Sequence, residues 1–285
     1  MRLDENRTLF LECIEKTSVL FDVRVEYIEK DYWLVLLLKR ILSNDYGYVF
    51  KGGTSLSKCH HLINRFSEDI DISYDTDYHT LRISDIERKF KGISKSIKEI
   101  GLGLENTNHL RRGAYFNRFI CPYPSLFDEK DIAHKVIVEL AAQTPSFPSV
   151  KKPIQSFVGE YLEKIGRHDL VELYDLGPFE IVTQSLERTL VDKTFAICDY
   201  YLSNKCKGHS RHIYDISKIM SVIDLDSTIV VLFKQVREYR KDNPICYSAS
   251  ESFIISELVS EIIDKDSFKE DYNQTTFMLL YEQYA

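Results

Sequence analysis

The sequence predicts an α+β protein in which a small mixed β-sheet is followed by an α-helical C-terminal lobe. Short segments rich in β-branched and aromatic residues occur before residue 147, whereas long segments with helical spacing dominate after it. Residues 144–153 hold three of the seven prolines and separate the strand-rich part of the sequence from the helical part. We therefore predict a first lobe over residues 1–147, which includes N-terminal helices, and a helical lobe over residues 148–285.

The composition is that of an ordinary globular chain and excludes several classes of protein. Of 285 residues, 28% are charged and 44% are hydrophobic, and the net charge of −7 gives no global basic surface for nucleic acid. An RNA partner would therefore need a local cluster of cations. The longest apolar run, Tyr32 to Leu38, is too short to cross a membrane, and the polar start lacks the apolar region of a secretory signal. Six cysteines without a CxxC pair indicate reduced thiols, so we expect a cytoplasmic protein.

Two N-terminal helices are predicted at residues 5–17 and 25–43. In the second, apolar residues recur at helical spacing. Glu29, Lys30 and Asp31 are charged residues within that helix, and a solvated helix face is the interpretation we favour for them.

A glycine pair follows the next predicted element. Residues 46–50 have the composition of a short strand, which leads into Gly52 and Gly53. Thr54 or Ser55 is the expected cap of a helix that continues to about residue 62. Backbone N–H groups at such a helix start can bind phosphate oxygens, and glycine permits their close approach.

Two carboxylates follow in an alternating apolar segment. Because side chains in a strand alternate between faces, Asp69 and Asp71 should share one face while Ile70 and Ile72 share the other. A lone Asp-x-Asp is usually an exposed edge, and a lone Gly-Gly is usually a turn. Their joint occurrence in strand–turn–helix–strand order favours a site for a nucleoside triphosphate with magnesium.

The remaining elements are predicted from the same patterns. Residues 81–101 form an amphipathic helix, and residues 111–121 and 134–140 form strands, the second of which carries Glu139. Beyond residue 153 the pattern is nearly all helical, at about residues 181–203, 210–222, 227–241, 250–264 and 266–283.

Several motifs give the chain a specific resemblance. Lys51-Gly-Gly-Thr-Ser-Leu56 and Arg65-Phe-Ser-Glu-Asp-Ile-Asp-Ile72 resemble the signature of nucleotidyltransferase toxins of the AbiEii/AbiGii type, which include the MenT toxins. These toxins belong to the DNA polymerase β-like nucleotidyltransferase superfamily. The segments Glu187 to Lys193 and Arg211 to Asp215 resemble the later lysine-bearing helix and Arg-x-x-x-Asp motif of that family.

The resemblance implies an enzyme that transfers a nucleoside monophosphate from a nucleoside triphosphate to a hydroxyl group. It implies Mg²⁺ or Mn²⁺ as cofactor, the 3′ end of tRNA as acceptor, and a toxin that a separately encoded antitoxin neutralises. A protein hydroxyl is the alternative acceptor, which would make the reaction protein NMPylation. A catalytically idle protein that binds a nucleotide or a partner is the alternative of another class.

The resemblance also assigns roles to residues. Asp69 and Asp71 would bind metal, and Glu139 would complete that shell or act as the base. Lys193 would bind phosphate, with Arg188 as a weaker companion, and Asp215 would orient Lys193 or the nucleotide. The nucleotide-binding set is Lys51, Gly52, Gly53, Thr54, Ser55 and Lys193. The alternatives are a solvated strand face for Glu139, a solvated helix face for Lys193, and an ion pair between Asp215 and Lys218.

Two further groups of residues are weighed for binding. Cys206, His209 and His212, with Cys198 upstream, match no common structural zinc spacing, so we interpret them as unrelated polar residues of a loop. Local cations that could contact RNA are Arg111 and Arg112 with Tyr115 and Phe116, Lys151 and Lys152, and Arg237, Arg240 and Lys241. For each of these clusters, solvated surface charge is the alternative.

Overall fold

A six-stranded mixed sheet lies at the centre of the protein. The computed structural model describes residues 1–44, 46–111, 115–127 and 132–280. The strands are β1 (Tyr48–Lys51), β2 (Asp69–Tyr74), β3 (Phe116–Pro122), β4 (Lys135–Ala141), β5 (Ser149–Ile154) and β6 (Phe179–Gln184). Their order across the sheet is β3-β4-β2-β1-β6-β5, in which β2 is parallel to β4, β1 is parallel to β6, and the other neighbours are antiparallel.

Helices precede, connect and follow these strands. They are α1 (Arg7–Phe21), α2 (Val25–Leu42), α3 (Gly52–Lys58), α4 (Ile83–Glu99), α5 (Phe157–Lys164), α6 (His168–Leu173), α7 (Leu186–Leu202), α8 (Arg211–Met220), α9 (Ser227–Arg240) and α10 (Ile255–Asp264). Short helical turns follow at Lys269–Asp271, Tyr272–Thr276 and Phe277–Leu279. The predicted fold class, a mixed sheet followed by helices, is confirmed.

The sheet is larger than the sequence predicts. Strand β5 lies in the predicted linker, and β6 covers the start of the predicted helix 181–203. Thr183 in β6 pairs with Phe50 in β1 and donates its hydroxyl to the Phe50 carbonyl at 3.0 Å. The sheet therefore extends past the boundary predicted between residues 147 and 148, and the continuously helical part begins at α7. The division into two domains stays a prediction.

One face of the sheet is buried and the other carries the charges. Ile70, Ile72, Val138 and Leu140 belong to a core shared with α1, α2 and α4, and each is at most 1% exposed. Because side chains alternate along a strand, Asp69, Asp71 and Glu139 lie on the opposite face. The alternating pattern of β2 thus places its acids where the sequence predicts.

The prediction of a solvated face for Glu29, Lys30 and Asp31 was wrong. Glu29 is fully buried and accepts hydrogen bonds from Leu126 N at 2.7 Å and Ser125 Oγ at 2.5 Å. Lys30 forms an ion pair with Glu68, and Asp31 forms one with Lys58 at 2.6 Å. These charges link α2 to α3, to the segment before β2 and to the segment after β3, so their burial is compensated by specific partners.

No helix in the described parts of the chain combines the length and the apolar character needed to cross a membrane.

Candidate active site

The turn between β1 and α3 requires glycine at its first position. Gly52 has a φ of +78°, and a Cβ there would collide with the carboxylate of Asp71. At Gly53 a Cβ would lie 2.6 Å from Arg65 Nη2 and 2.7 Å from Ser67 Oγ. The two glycines therefore bring the backbone of this turn against the acid of β2 and the residues just before that strand.

The hydroxyls of Thr54 and Ser55 do not cap α3. The helix begins at Gly52 and ends at Lys58, and the residue before it, Lys51, makes no side-chain cap. Thr54 Oγ1 donates to the carbonyl of Asp69 at 2.7 Å and lies 2.9 Å from Ser67 Oγ. The predicted cap and the predicted helix end near residue 62 were both wrong. Instead of capping α3, the Thr54 side chain connects this helix to the start of β2.

A row of charges crosses four strands of the sheet. The register pairs Lys51 with Asp71, Asp71 with Glu139, and Glu139 with Arg118. Asp69 precedes Asp71 by two residues and shares its face. Arg118 Nε lies 3.2 Å from Glu139 Oε1, so the third acid already has a cationic partner.

The carboxylates of this row are electrostatically crowded. Burial and the neighbouring charges of Asp71, Glu68 and Glu139 raise the pKa of Asp69 to about 6. Burial also raises the pKa of Asp71, although Lys51 and Lys193 oppose that rise. The pKa of Glu139 is raised by burial and by Asp71. A divalent cation would relieve this repulsion, because it would stabilise the ionised form of each acid.

The donor set fits a divalent ion that the substrate helps to bind. Among the described residues, no three His, Cys, Asp or Glu side chains are grouped closely enough to hold a metal ion. Magnesium is commonly bound by one or two carboxylates together with substrate phosphates and water. Asp69 and Asp71 provide that protein share, and neither has an ion pair at 4.0 Å or less among the described residues.

Lys193 and Asp215 meet at a buried ion pair near the acids. Lys193 Nζ lies 2.7 Å from Asp215 Oδ2, and Arg65 donates to both oxygens of the same carboxylate at 2.8 and 2.7 Å. Asp215 is fully buried and Lys193 is 7% exposed. Burial alone would raise the pKa of Asp215, but Lys193 and Arg65 hold it well below its usual range. Asp215 is thus placed to orient Lys193, and a solvated lysine on a helix face was the wrong alternative.

These motifs agree with a known family. The sequence model described as "Nucleotidyl transferase AbiEii toxin, Type IV TA system" matches residues 37–284. The chain belongs to this family. The predicted resemblance and the predicted enzyme class, a nucleotidyltransferase, are therefore confirmed. As an AbiEii toxin of a type IV system, the protein has an antitoxin as its implied partner.

Solved structures provide two more likenesses for this AbiEii chain. The nucleotidyltransferase toxin MenT4 from Mycobacterium tuberculosis H37Rv is 18% identical, with a TM-score of 0.48 over 76% of this chain and 68% of MenT4. A protein from H. pylori described as a nucleotidyltransferase is 13% identical, with a TM-score of 0.35 over 84% of this chain and 94% of that protein. No curated protein matches the chain.

Sequence reasoning assigned no role to Arg65, which the AbiEii fold places at the centre of the site. Arg65 is 3% exposed, holds Asp215 with two hydrogen bonds and donates to the Phe66 carbonyl at 3.0 Å. Its only signal in the sequence is its place directly before the Phe-Ser-Glu-Asp motif. The partner, Asp215, is 150 residues away, so their contact depends on the tertiary fold.

A second group of cations surrounds Asp192 on α7. Arg188 is fully buried and donates to the carbonyls of Pro145 and Phe147, both at 2.8 Å, while its Nε lies 3.2 Å from Asp192. Arg240 pairs with Asp199 at 2.7 Å. Burial lowers the pKa of Lys51, which lies near Asp192 and Asp71. Arg188 therefore also supports the segment before β5, in addition to any contact with phosphate.

The predicted RNA-binding cations have different surroundings. Arg240 is engaged by Asp199, and Lys241 lies 2.5 Å from Glu238. Arg111 is exposed and exchanges two backbone hydrogen bonds with the Asn117 side chain. The neighbouring Arg112 lies outside the described residues.

Proposed function

We propose that this AbiEii toxin is a cytoplasmic, magnesium-dependent enzyme that transfers a nucleoside monophosphate from a nucleoside triphosphate to the 3′ end of tRNA. Manganese is the alternative ion. The observation that carries the proposal is the pair Asp69 and Asp71 on one strand face, close to a lysine that Asp215 orients. A module that only binds a partner would have no need for two crowded acids beside a held lysine.

The reaction has a simple atomic balance. The oxygen of the acceptor hydroxyl forms a bond to the α-phosphorus, and the bond from that phosphorus to the bridging oxygen breaks, which releases pyrophosphate. The hydroxyl proton passes to Glu139, whose raised pKa suits it to accept one. A divalent ion bound by Asp69 and Asp71 would lower the pKa of the hydroxyl and neutralise charge on the phosphates. Lys193 places a point charge on a phosphate oxygen, and Asp215 fixes its direction.

The open end of the charge row supports an RNA acceptor. Phe116 and Arg118 lie two residues apart on the edge strand β3 and share a face with Glu139. Phe116 is 53% exposed, and the Arg118 side chain is 49% exposed. An unpaired base can stack on such a ring while the guanidinium contacts a phosphate, and the motif resemblance to the tRNA-directed toxins favours tRNA.

One labelling experiment separates the lead from its rivals. The protein is incubated with each labelled nucleoside triphosphate, Mg²⁺ or Mn²⁺, total RNA and cell extract. Label in RNA that requires Asp69 and Asp71 supports the proposal, and label that is restricted to protein supports NMPylation. If no labelled product depended on Asp69 and Asp71, the result would contradict catalysis altogether.

Matched variants make the labelling result specific. The inactive variant is Asp69→Ala/Asp71→Ala. The control is Glu87→Gln on α4, where the side chain is 43% exposed and pairs with Lys91 at 3.5 Å. Both variants should show the circular dichroism spectrum of the wild type, and only the double aspartate variant should lose transfer.

A further inference from the structure

His209 and His212, which we interpret from the sequence as unrelated polar residues of a loop, are stacked with Tyr200. His209 lies on Tyr200 with ring centroids 3.5 Å apart and planes inclined by 11°. The ring of His212 is nearly parallel to both, at 5.8 Å from Tyr200 and 6.2 Å from His209. Cys206 packs instead in the apolar cluster around Leu258 and Ile262. The group is thus an aromatic surface, which we call the ring platform (Tyr200, His209 and His212).

The ring platform adjoins the candidate active site. His212 Nδ1 lies 3.4 Å from Lys193 Nζ. Tyr200 follows Lys193 by seven residues on α7, so it shares that helix face about 10 Å further along the axis. The charges of Arg211 and Glu139 both act on the Tyr200 phenol. A phosphate held by Lys193 would therefore leave the rest of its nucleotide beside these rings.

The chemistry of the rings suits an uncharged, flat ligand. Burial lowers the pKa of both His209 and His212, and the nearby Lys193 and Arg211 contribute, so the imidazoles are neutral at neutral pH. The outer faces of such neutral, stacked rings can take another ring without a net charge. All three side chains are only half-buried.

We propose that the ring platform binds the nucleobase of the incoming nucleoside triphosphate. This inference rests on the proposed function and adds to it the surface that recognises the base. Lys193 holds phosphate at one end, and Tyr200 and His209 hold the base at the other. Base selection then depends on how strongly each base stacks on these rings.

Binding measurements that compare two probes test the platform without any transfer. Inorganic tripolyphosphate carries the phosphates without a base, and each of the four nucleoside triphosphates carries both. Calorimetry with Mg²⁺ should show that His209→Ala and Tyr200→Leu weaken the best-bound nucleoside triphosphate by roughly 5- to 150-fold, the range for one base on an aromatic ring. The affinity for tripolyphosphate should stay the same.

Conservative variants separate stacking from folding. Tyr200→Phe and His209→Phe keep a ring at each position and should retain most of the affinity that the alanine and leucine changes remove. His168→Ala alters an exposed histidine on α6 and should change neither probe. An equal loss for both probes, or a loss that the phenylalanine variants do not rescue, would overturn the platform.

The outcomes also distinguish the platform from the transfer reaction. Base-dependent binding without labelled product would refute the transfer and leave the platform standing. The platform would be refuted by a different result, in which labelling requires Asp69 but the ring variants bind nucleotide as tightly as the wild type. If those variants raised only the KM for RNA, the rings would contact the acceptor instead. Failure of the wild type to bind any nucleoside triphosphate would refute both.

Discussion

Asp215 is a fully buried carboxylate that neutralises two buried cations, Arg65 and Lys193. Its removal leaves both charges without their partner in a poorly solvated site. We expect Asp215→Asn to lower the free energy of unfolding by roughly 3–5 kcal/mol at pH 7, the usual cost of breaking a buried pair. Urea denaturation measures this loss. Asp169→Asn, at an exposed pair with Arg167, is the control and should change little.

The same carboxylate sets a pH dependence with a definite sign. Folding lowers the pKa of Asp215, so the unfolded chain binds more protons and stability rises with pH in that range. The contribution is complete above the ordinary aspartate pKa of about 3.9 and is lost as the pH falls toward the folded value. The difference in the free energy of unfolding between the wild type and Asp215→Asn should therefore become smaller below about pH 4. A constant gap down to pH 2 would contradict this account.

Asp69 makes stability depend on pH in the opposite direction, because folding raises its pKa to about 6. The folded chain binds more protons between about pH 4 and 6, so this group costs stability as the pH rises through that window. Without divalent ions, Asp69→Asn should melt at a higher temperature than the wild type at pH 7.5 and at nearly the same temperature at pH 4. Mg²⁺ should raise the melting temperature of the wild type and remove the difference between the two proteins. If the wild type melted at the higher temperature at pH 7.5 without divalent ions, the proposed repulsion at Asp69 would be refuted.

At the residue scale, sequence reasoning located the acids better than their surroundings. The period of two put Asp69 and Asp71 on one face, and the motifs singled out Lys193 and Asp215. It did not find Arg65 or the buried charges of Glu29 to Asp31. Whether a charge is solvated or buried depends on a partner that arrives from a distant segment, and one sequence carries no local signal for that partner.

At the element scale, the turn before α3 combines two constraints that a single substitution can separate. Alanine at Gly52 would meet both a positive φ and a collision with the Asp71 carboxylate. Gly166 has a φ of +73°, and a Cβ there would have nothing within 4 Å, so alanine meets the backbone cost alone. That cost is about 1–2 kcal/mol.

Comparison of these two glycines isolates the contact with Asp71. Gly166→Ala should lose only that backbone energy and keep transfer activity. Gly52→Ala should lose more stability and most activity, because Asp71 has to move. Unfolding by urea and initial rates of labelling measure the two effects. Equal losses in both variants would show that the approach of Gly52 to Asp71 is unimportant.

The elements that sequence reasoning missed share a physical cause. Strand β6 is six residues long and only Ser185 separates it from α7, so its pattern merges with the helix that follows. Strand β5 contains Pro153 and lies at the sheet edge, where a missing N–H group is tolerated. Proline and a short length indicate a linker when they are read locally. The segment nevertheless joins the sheet, because β6 pairs with β1 across a separation of 133 residues between Phe50 and Thr183.

At the scale of the whole molecule, the hydrophobic cores divide the chain later than residue 147. The first core includes Ile154, Val158, Leu162 and Ile181 together with the apolar face of the sheet. The second and third cores draw most of their residues from α7 onward. A fragment of residues 1–147 lacks β5, β6 and α5, so it would expose β1 as an unpaired edge and leave part of the first core without partners.

We therefore expect the fragment of residues 1–147 to lack a cooperative thermal transition and to aggregate. A fragment of residues 1–184 retains all six strands and α5, and should unfold cooperatively, although less stably than the full chain because Leu56 and Ile63 lose the apolar cluster that they share with α7. Circular dichroism melts and size-exclusion chromatography on both fragments test this. A cooperative, monomeric fragment of residues 1–147 would instead support the boundary that the proline-rich segment suggests, and would mean that β5 and β6 join a sheet that is already stable without them.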